Sequence, residues 1–349
     1  MNHFLDETVL GTGSLKQEFD QTSGRYHDSH EIETKALICG NGLAEFRKLL
    51  DRFASQRLIF GKVWSKFLVS AYYDTPDMKL FNAGKGLRLR FQVDDKINPL
   101  PYAFDISSKS RGEAFGANGV RRIEPEAVID DLALNLPALF QACNHCPDTI
   151  KYLTELVGMF DNDPGRLREA LFVDCERTNF NVCVYIVNYK GQQYAKFGSE
   201  LNGDVNNARP VFFEFSLDHP EYRVPGIAQP VGEDYEIEFE FKEKTDYYAP
   251  EGENYQSAAD LNLSEIICAQ EYLVNHINNT LEGVKLAWKA PSKMRRGFMA
   301  REKYARNNAL PEPEELTVAG KPIAGEMIVP APANYFLINK SADLSNGPC

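Results

Sequence analysis

The chain has 349 residues, 43% of them hydrophobic and 25% charged, and carries a formal net charge of −12. This is a globular composition with ample material for a core, and no apolar run approaches the roughly 20 residues of a membrane-spanning helix. The acidic balance argues against general nucleic-acid binding, which depends on many Lys and Arg contacts to phosphates.

Residues 1–29 have no basic start followed by an apolar segment, so they read as a polar leader and not as a secretory signal. The seven cysteines are odd in number and scattered. That fits a reducing compartment, with thiols such as Cys39 and Cys183 serving as small core residues. The expected location is cytoplasmic.

The first strand is expected over 30–38, HEIETKALI. Alternate side chains of a strand share a face, so Glu31, Glu33 and Lys35 project together, with Ile32, Thr34 and Ala36 opposite. A helix is expected over 42–53, with Leu43, Phe46, Leu50 and Phe53 on one stripe. Strands follow at 67–73, 86–93 and 102–109; GLRLRF puts Arg88 and Arg90 on one face, and ISSK adds Lys109. The strand at 120–129 sets Arg122, Glu124 and Glu126 on one face, and Pro125 disturbs its ladder. A second helical region spans 136–160. It holds the motif CNHC, Cys143 to Cys146, but no second ligand pair follows at finger-like spacing, so helix packing is preferred to zinc.

Further strands are expected at 170–176, 179–188, 210–217 and 234–242. ERTNF contributes Arg177, FFEFSLD contributes Glu214, Ser216 and Asp218, and YEIEFEFK contributes Glu236, Glu238, Glu240 and Lys242 at alternate positions. A third helix over 263–281 repeats Ile266, Ala269, Leu273 and Ile277 at helical spacing, with Asn262 and Glu265 placed to cap it. The chain therefore divides into the leader, a body over 30–300, and a Pro/Gly-rich extended tail over 301–349. So many strands with so few crossover helices exclude a doubly wound parallel sheet and point to an antiparallel all-β or α+β domain.

The charged positions segregate by strand into acidic and basic groups. That arrangement makes sense if the sheet closes, with charges facing a solvated lumen and apolar residues facing outward under helices. Packed like charges repel unless counter-ions answer them. Clustered glutamates without histidine suit Mg²⁺ or Mn²⁺ better than zinc, and Arg and Lys opposite them suit phosphoryl oxygens. A metal-positioned water could then attack a phosphorus atom in line.

HEIETK, YYDTPDMKLFNAGKGLRLRF, ISSK, RIEPE, CERTNF, EFSLD, YEIEFEFK and APSKMRRGF, in this order, resemble the CYTH family of triphosphate tunnel metalloenzymes. The resemblance covers about 31–298, and the Ser-Lys-x-x-Arg-Gly-Phe ending is most similar to the bacterial inorganic triphosphatase branch. It implies an α+β fold: an eight-stranded antiparallel β-barrel with flanking helices, its tunnel holding a triphosphate chain and Mg²⁺ or Mn²⁺. By motif position, Glu31, Glu33, Glu124, Asp218, Glu236 and Glu238 would serve the metal ions or the attacking water. Glu240 and Glu126 extend that set. Lys35, Arg88, Arg90, Lys109, Arg122, Arg177 and Lys293 would hold the phosphates, and the catalytic set would be Glu31, Glu33, Lys35 and Arg177. Tyr73 and Asp74 read as structural, an aromatic and an Asx turn before Thr-Pro.

Residues 127–170 are longer than a compact member needs, and the tail has no counterpart. The reaction this implies is hydrolysis of a small-molecule triphosphate, inorganic triphosphate first. Alternatives are adenylate cyclase activity, hydrolysis of thiamine or nucleoside triphosphate or of an RNA 5′ end, and non-catalytic polyphosphate or nucleotide binding. No phosphate-binding G-x-x-x-x-G-K-[ST] loop is present, HEIET lacks the second histidine of H-E-x-x-H, and the serines have no evident His/Asp partners for a covalent hydrolase.

Overall fold

The computed structural model of the chain describes residues 30–93, 101–129, 133–144, 146–201, 208–242, 261–308, 310 and 328–330. The expected leader lies outside these residues, as does most of the tail.

The first half is built from β1 (His30–Cys39), α1 (Gly42–Ser55), β2 (Ile59–Asp74), α2 (Lys79–Asn82), β3 (Gly86–Val93), β4 (Pro101–Lys109), β5 (Glu113–Phe115), β6 (Gly119–Ile123) and β7 (Glu126–Ile129). Next come β8 (Ala133–Asn135), α3 (Leu136–Ala142), α4 (Pro147–Gly158), β9 (Arg168–Tyr189), β10 (Gln192–Lys196), β11 (Ala208–Arg223), β12 (Gly232–Glu233) and β13 (Glu236–Lys242). Last are α5 (Leu263–Thr280), β14 (Lys285–Trp288), α6 (Lys293–Ala305) and β15 (Ile328–Pro330). The class is α+β, with one large antiparallel sheet and six α-helices among the described residues.

Thirteen strands join that sheet along the path β5-β6-β1-β13-β11-β9-β2-β3-β4-β7, with β10, β12 and β14 beside β9, β11 and β1. The expected eight-stranded ring is not closed by a continuous ladder. The open seam falls between β6 and β7, where Pro125 offers no N–H. Across it, Ser110 N donates to Ile123 O and Ser108 N to Pro125 O, both at 3.0 Å.

Two predicted strands, 170–176 and 179–188, are one strand of 22 residues, β9. The polar run ERTNFN suggests a turn by composition, yet Arg177, Asn179 and Asn181 alternate with Thr178, Phe180 and Val182, as one polar face of a strand does. The predicted helix over 136–160 is two helices, α3 and α4, separated around Cys143–Cys146. The helix stripe in α1 is also rotated from the expectation. Phe46, Leu49 and Phe53 are buried, whereas Leu43 is 48% exposed. In α5 the expected positions Ile266, Ala269, Leu273 and Ile277 are all buried, and the Asn262/Glu265 capping box forms at its start.

The apolar sides of the strands pack under helices. Ile32, Phe180, Phe213, Phe215 and Phe239 meet α1 and α5 in one core. Val69, Leu89, Phe91 and Ile106 meet Leu139, Leu153 and Leu156 of α3 and α4 in a second. The long segment at 127–170 thus supplies a helical cover, and β15 from the tail pairs with β8 within it. A third, smaller core seats α6 through Phe298 against Tyr72, Leu171 and Tyr222. That docking needs Gly297: an added Cβ would lie 2.5 Å from Leu171 Cδ2. Of the expected core thiols, Cys183 is buried but Cys39 is exposed, because it ends β1 at the Gly40 turn. No helix among the described residues is long and apolar enough to cross a membrane.

Asp74 ends β2 and organises the turn that follows. Its carboxylate accepts from Thr75 N (2.7 Å), Leu80 N (2.9 Å) and Phe81 N (2.8 Å), and the residue is 2% exposed. Asp74→Ala removes the acceptor for three backbone donors, each costing about 1 kcal/mol or more when left unsatisfied. The expected loss is ~3 kcal/mol, read as a lower urea midpoint at unchanged slope. A loss below ~1 kcal/mol would mean that the turn does not depend on this carboxylate.

Candidate functional site

Residues from distant parts of the chain line one cavity of about 170 Å³. Packed cores seldom hold voids larger than a water molecule, so this space is a built feature. Glu31 and Lys35 reach it from β1, Lys66 from β2, Arg88 and Arg90 from β3, Lys109 from β4 and Arg122 from β6. Glu124 enters at the seam, Glu126 from β7, Arg177 from β9, Glu214 from β11, Glu238, Glu240 and Lys242 from β13, and Lys293 from α6. Strand alternation explains the convergence, because the strands turn most of their apolar positions to a helix-covered core and these charged positions to the cavity, with Leu68, Val173 and Cys175 among the apolar residues that also line it.

One group of charges is centred on Lys293. Ser292 caps α6 by accepting from Arg295 N (3.3 Å), which places Lys293 at the first helical position. Its ammonium meets Asp218 Oδ2 (2.8 Å), Glu238 Oε2 (2.7 Å) and Glu236. Arg177 stands opposite Asp218 in the β9–β11 ladder and donates to it as a fork, Nε to Oδ1 at 2.8 Å and a terminal nitrogen to Oδ2 at 2.6 Å. Burial opposes the charge on Asp218, but Arg177 and Lys293 outweigh it and hold the carboxyl below its usual range. The same holds more strongly for Glu238, where Lys293, Lys35 and Arg177 overcome burial.

A second group joins β1 to the seam. Glu33 is fully buried and pairs with Lys35 (2.7 Å) and with Arg122. Lys109 bridges Glu31 (3.3 Å) and Glu124 (2.6 Å). Burial pulls the Lys35 ammonium down in pKa, against Glu238 and Glu236. In a third group, Arg90 pairs with Asp105 (2.7 Å) and Glu126 (3.2 Å), while Arg88 donates to Ser107 Oγ (3.0 Å) and approaches Glu124 (3.7 Å).

Carboxylates come close enough together for a shared cation in two triads, Glu31/Glu33/Glu238 and Asp218/Glu236/Glu238, with one oxygen from each residue within 4.8 Å of the others. Their donor set is oxygen only, which fits a hard divalent cation such as Mg²⁺ or Mn²⁺. Glu33 supports that fit, since neither of its buried oxygens accepts a well-directed hydrogen bond despite the ion pairs. Glu124 belongs to neither triad. A third cluster, His219, Glu221 and Glu233, involves an exposed Glu233 and a Glu221 held by Arg223 at 2.8 Å.

The structure thus brings every sequence-predicted site residue into or directly beside this one cavity: Glu33, Asp218 and Glu236 stand behind its lining and pair with side chains that form it. Sequence reading missed Asp105, although AFDISSK places it on the Lys109 face. It also missed Lys66, whose strand face carries Leu68 and so lacks a charged rhythm, and α6 itself. Arg296 on α6 pairs with Glu236 (2.6 Å) and Asp234 (2.8 Å) and donates to Tyr222 Oη (3.0 Å), fixing Glu236 from behind. In the CNHC stretch, Cys146 is buried against Thr149 Oγ1 (2.9 Å) and Cys143 is half-buried; His145 lies outside the described residues.

No family model matches the chain, and no curated protein matches it. Among solved structures, a Hippeastrum protein with a dominant triphosphatase activity is 17% identical with a TM-score of 0.38, over 80% of this chain and 98% of that one. A candidate adenylate cyclase from Bacillus halodurans is 16% identical with a TM-score of 0.35, over 77% and 98%. The RNA triphosphatase domain of a mimivirus mRNA capping enzyme is 9% identical with a TM-score of 0.35, over 73% and 91%.

Lys293→Met would leave Asp218, Glu236 and Glu238 without the cation they share. Removing one partner of a buried ion pair costs about 3 kcal/mol or more, so the variant's urea midpoint at pH 7 should fall markedly, with Lys293→Arg much closer to wild type. Equal losses in the two variants would show that charge is not what Lys293 contributes.

Proposed function

We propose that this chain is a metal-dependent triphosphatase of the CYTH type, acting on inorganic triphosphate. One observation carries the reading. In an acidic protein, nine Lys and Arg side chains and six Glu line a single cavity, giving a cationic wall beside two carboxylate triads.

In this reading the segment 119–129 acts as one strand joining β1 to β4 across Pro125, which makes an eight-membered ring with β13, β11, β9, β2 and β3. The ladders β1–β6 and β4–β7 and the two seam hydrogen bonds support that closure. Arg88, Arg90, Lys109, Arg122 and Arg177 would orient the phosphate chain and offset its charge, the guanidiniums through forked contacts. Glu31, Glu33, Asp218, Glu236 and Glu238 would hold the cation. A bound Mg²⁺ or Mn²⁺ would supply Lewis acidity toward the phosphoryl oxygens. Against burial, Arg177 and Lys293 keep Asp218 ionised, Lys293, Lys35 and Arg177 do the same for Glu238, and Arg296 fixes Glu236. A fixed array of charges stabilises the transferring phosphoryl group without reorganising.

The test incubates purified protein and Mg²⁺ or Mn²⁺ with tripolyphosphate, ATP and thiamine triphosphate in parallel, measuring phosphate, diphosphate and cyclic AMP. Phosphate and diphosphate from tripolyphosphate are expected, abolished by EDTA, with Glu33→Gln lowering turnover on the order of 100-fold. Arg88→Ala should act mainly through KM. Cyclic AMP as the main product would replace this reading with a cyclase, and no turnover of any substrate would leave a binding protein.

A further inference from the structure

Nine cationic side chains line the cavity, and eight of them have a carboxylate oxygen within 3.7 Å. Lys66 is the exception: among the described residues its ammonium makes no ion pair and no hydrogen bond. It stands on β2 directly opposite Arg177 on β9, and Arg177 in turn stands opposite Asp218 on β11. Asp218, Arg177 and Lys66 therefore form a row across three neighbouring strands, leading away from the Asp218/Glu236/Glu238 triad.

The charged groups that face Lys66 are Arg177 on β9, Glu214 on β11, Arg90 on β3 and Lys242 on β13. Glu214, the one carboxylate among them, is committed elsewhere. It accepts from Asn179 Nδ2 at 2.8 Å, and Lys242 is the cation that acts on it most. A largely buried ammonium with no carboxylate in contact is costly, and the cations around it, Arg177 first, outweigh what Glu214 gives back. An anion entering the cavity relieves that cost.

We propose that Lys66 binds the outermost phosphoryl group of the substrate chain, one position further along the row than Arg177. This rests on the reading of the cavity as a polyphosphate site and assigns one end of it. The paired cations meet a substrate whose charge they share with carboxylates, whereas Lys66 contributes a whole charge. Chains that reach it gain affinity, and shorter ones do not.

A pH dependence follows. Burial, with Arg177 beside it, pulls the Lys66 ammonium down to about 8. In the free protein it is charged below that pH and loses its proton above it. The affinity that Lys66 contributes is therefore full at pH 7 and declines as the pH rises through 8.

The experiment measures binding, so it does not require turnover. Diphosphate and tripolyphosphate are titrated calorimetrically in EDTA into wild type, Lys66→Met, Lys66→Gln and Lys66→Arg, each checked for native circular dichroism. A hydrogen bond to a charged group implies about a tenfold effect. Wild type should favour tripolyphosphate over diphosphate about tenfold more than the Met and Gln variants do, with Arg retaining the preference. The wild-type advantage should shrink between pH 7 and 9, while Arg keeps its own. An unchanged preference in the Met and Gln variants overturns the assignment, as does an equal loss for both anions. Wild type that binds neither anion overturns the polyphosphate reading itself, and this assignment with it.

Discussion

The structure depends on neutralising charges that have been taken out of water. Glu33, Asp218 and Glu236 are fully buried, and Glu31, Lys35 and Glu124 nearly so. Any one of them alone would cost several kcal/mol. Each is offset by a partner on another strand or on α6, so the strands must hold their register for the charges to meet. A one-residue slip would turn every charged side chain of a strand into an apolar core and every apolar one into the cavity.

That constraint divides labour between the two faces of the sheet. Outward residues do what interior residues ordinarily do, filling cores under α1 and α5 on one side and α3 and α4 on the other. Inward residues are free to be charged because they balance one another. Arg177 shows the division most clearly. Its fork on Asp218 fixes both side chains, and the same guanidinium reaches Glu238 at 3.5 Å, so one residue orders carboxylates from two strands.

Period-two alternation made most of this legible in the sequence. Glu31, Glu33 and Lys35 in β1, Arg88 and Arg90 in β3, and Glu236, Glu238 and Glu240 in β13 all announce one charged face per strand. The same alternation misled where polar inward residues came in a run: ERTNFN in β9 has the composition of a turn, although its polar side chains belong to a continuous strand face. Lys66 stayed hidden because a single charge among Leu68 and Ser70 has no rhythm. Helix α6 stayed hidden because its apolar stripe is short; Phe298 and Gly297 seat it, and its remaining residues are mostly polar. The partners of each charge depend on strand order, which no local pattern encodes.

Pro125 marks the open seam of the sheet, between β6 and β7. Across it two peptide hydrogen bonds, Ser108 N to Pro125 O and Ser110 N to Ile123 O, stand beside Lys109, which clasps Glu31 and Glu124. A seam held by so few peptide hydrogen bonds can part without unravelling a strand, so amide exchange should begin there earlier than in the long β2–β9 and β9–β11 ladders.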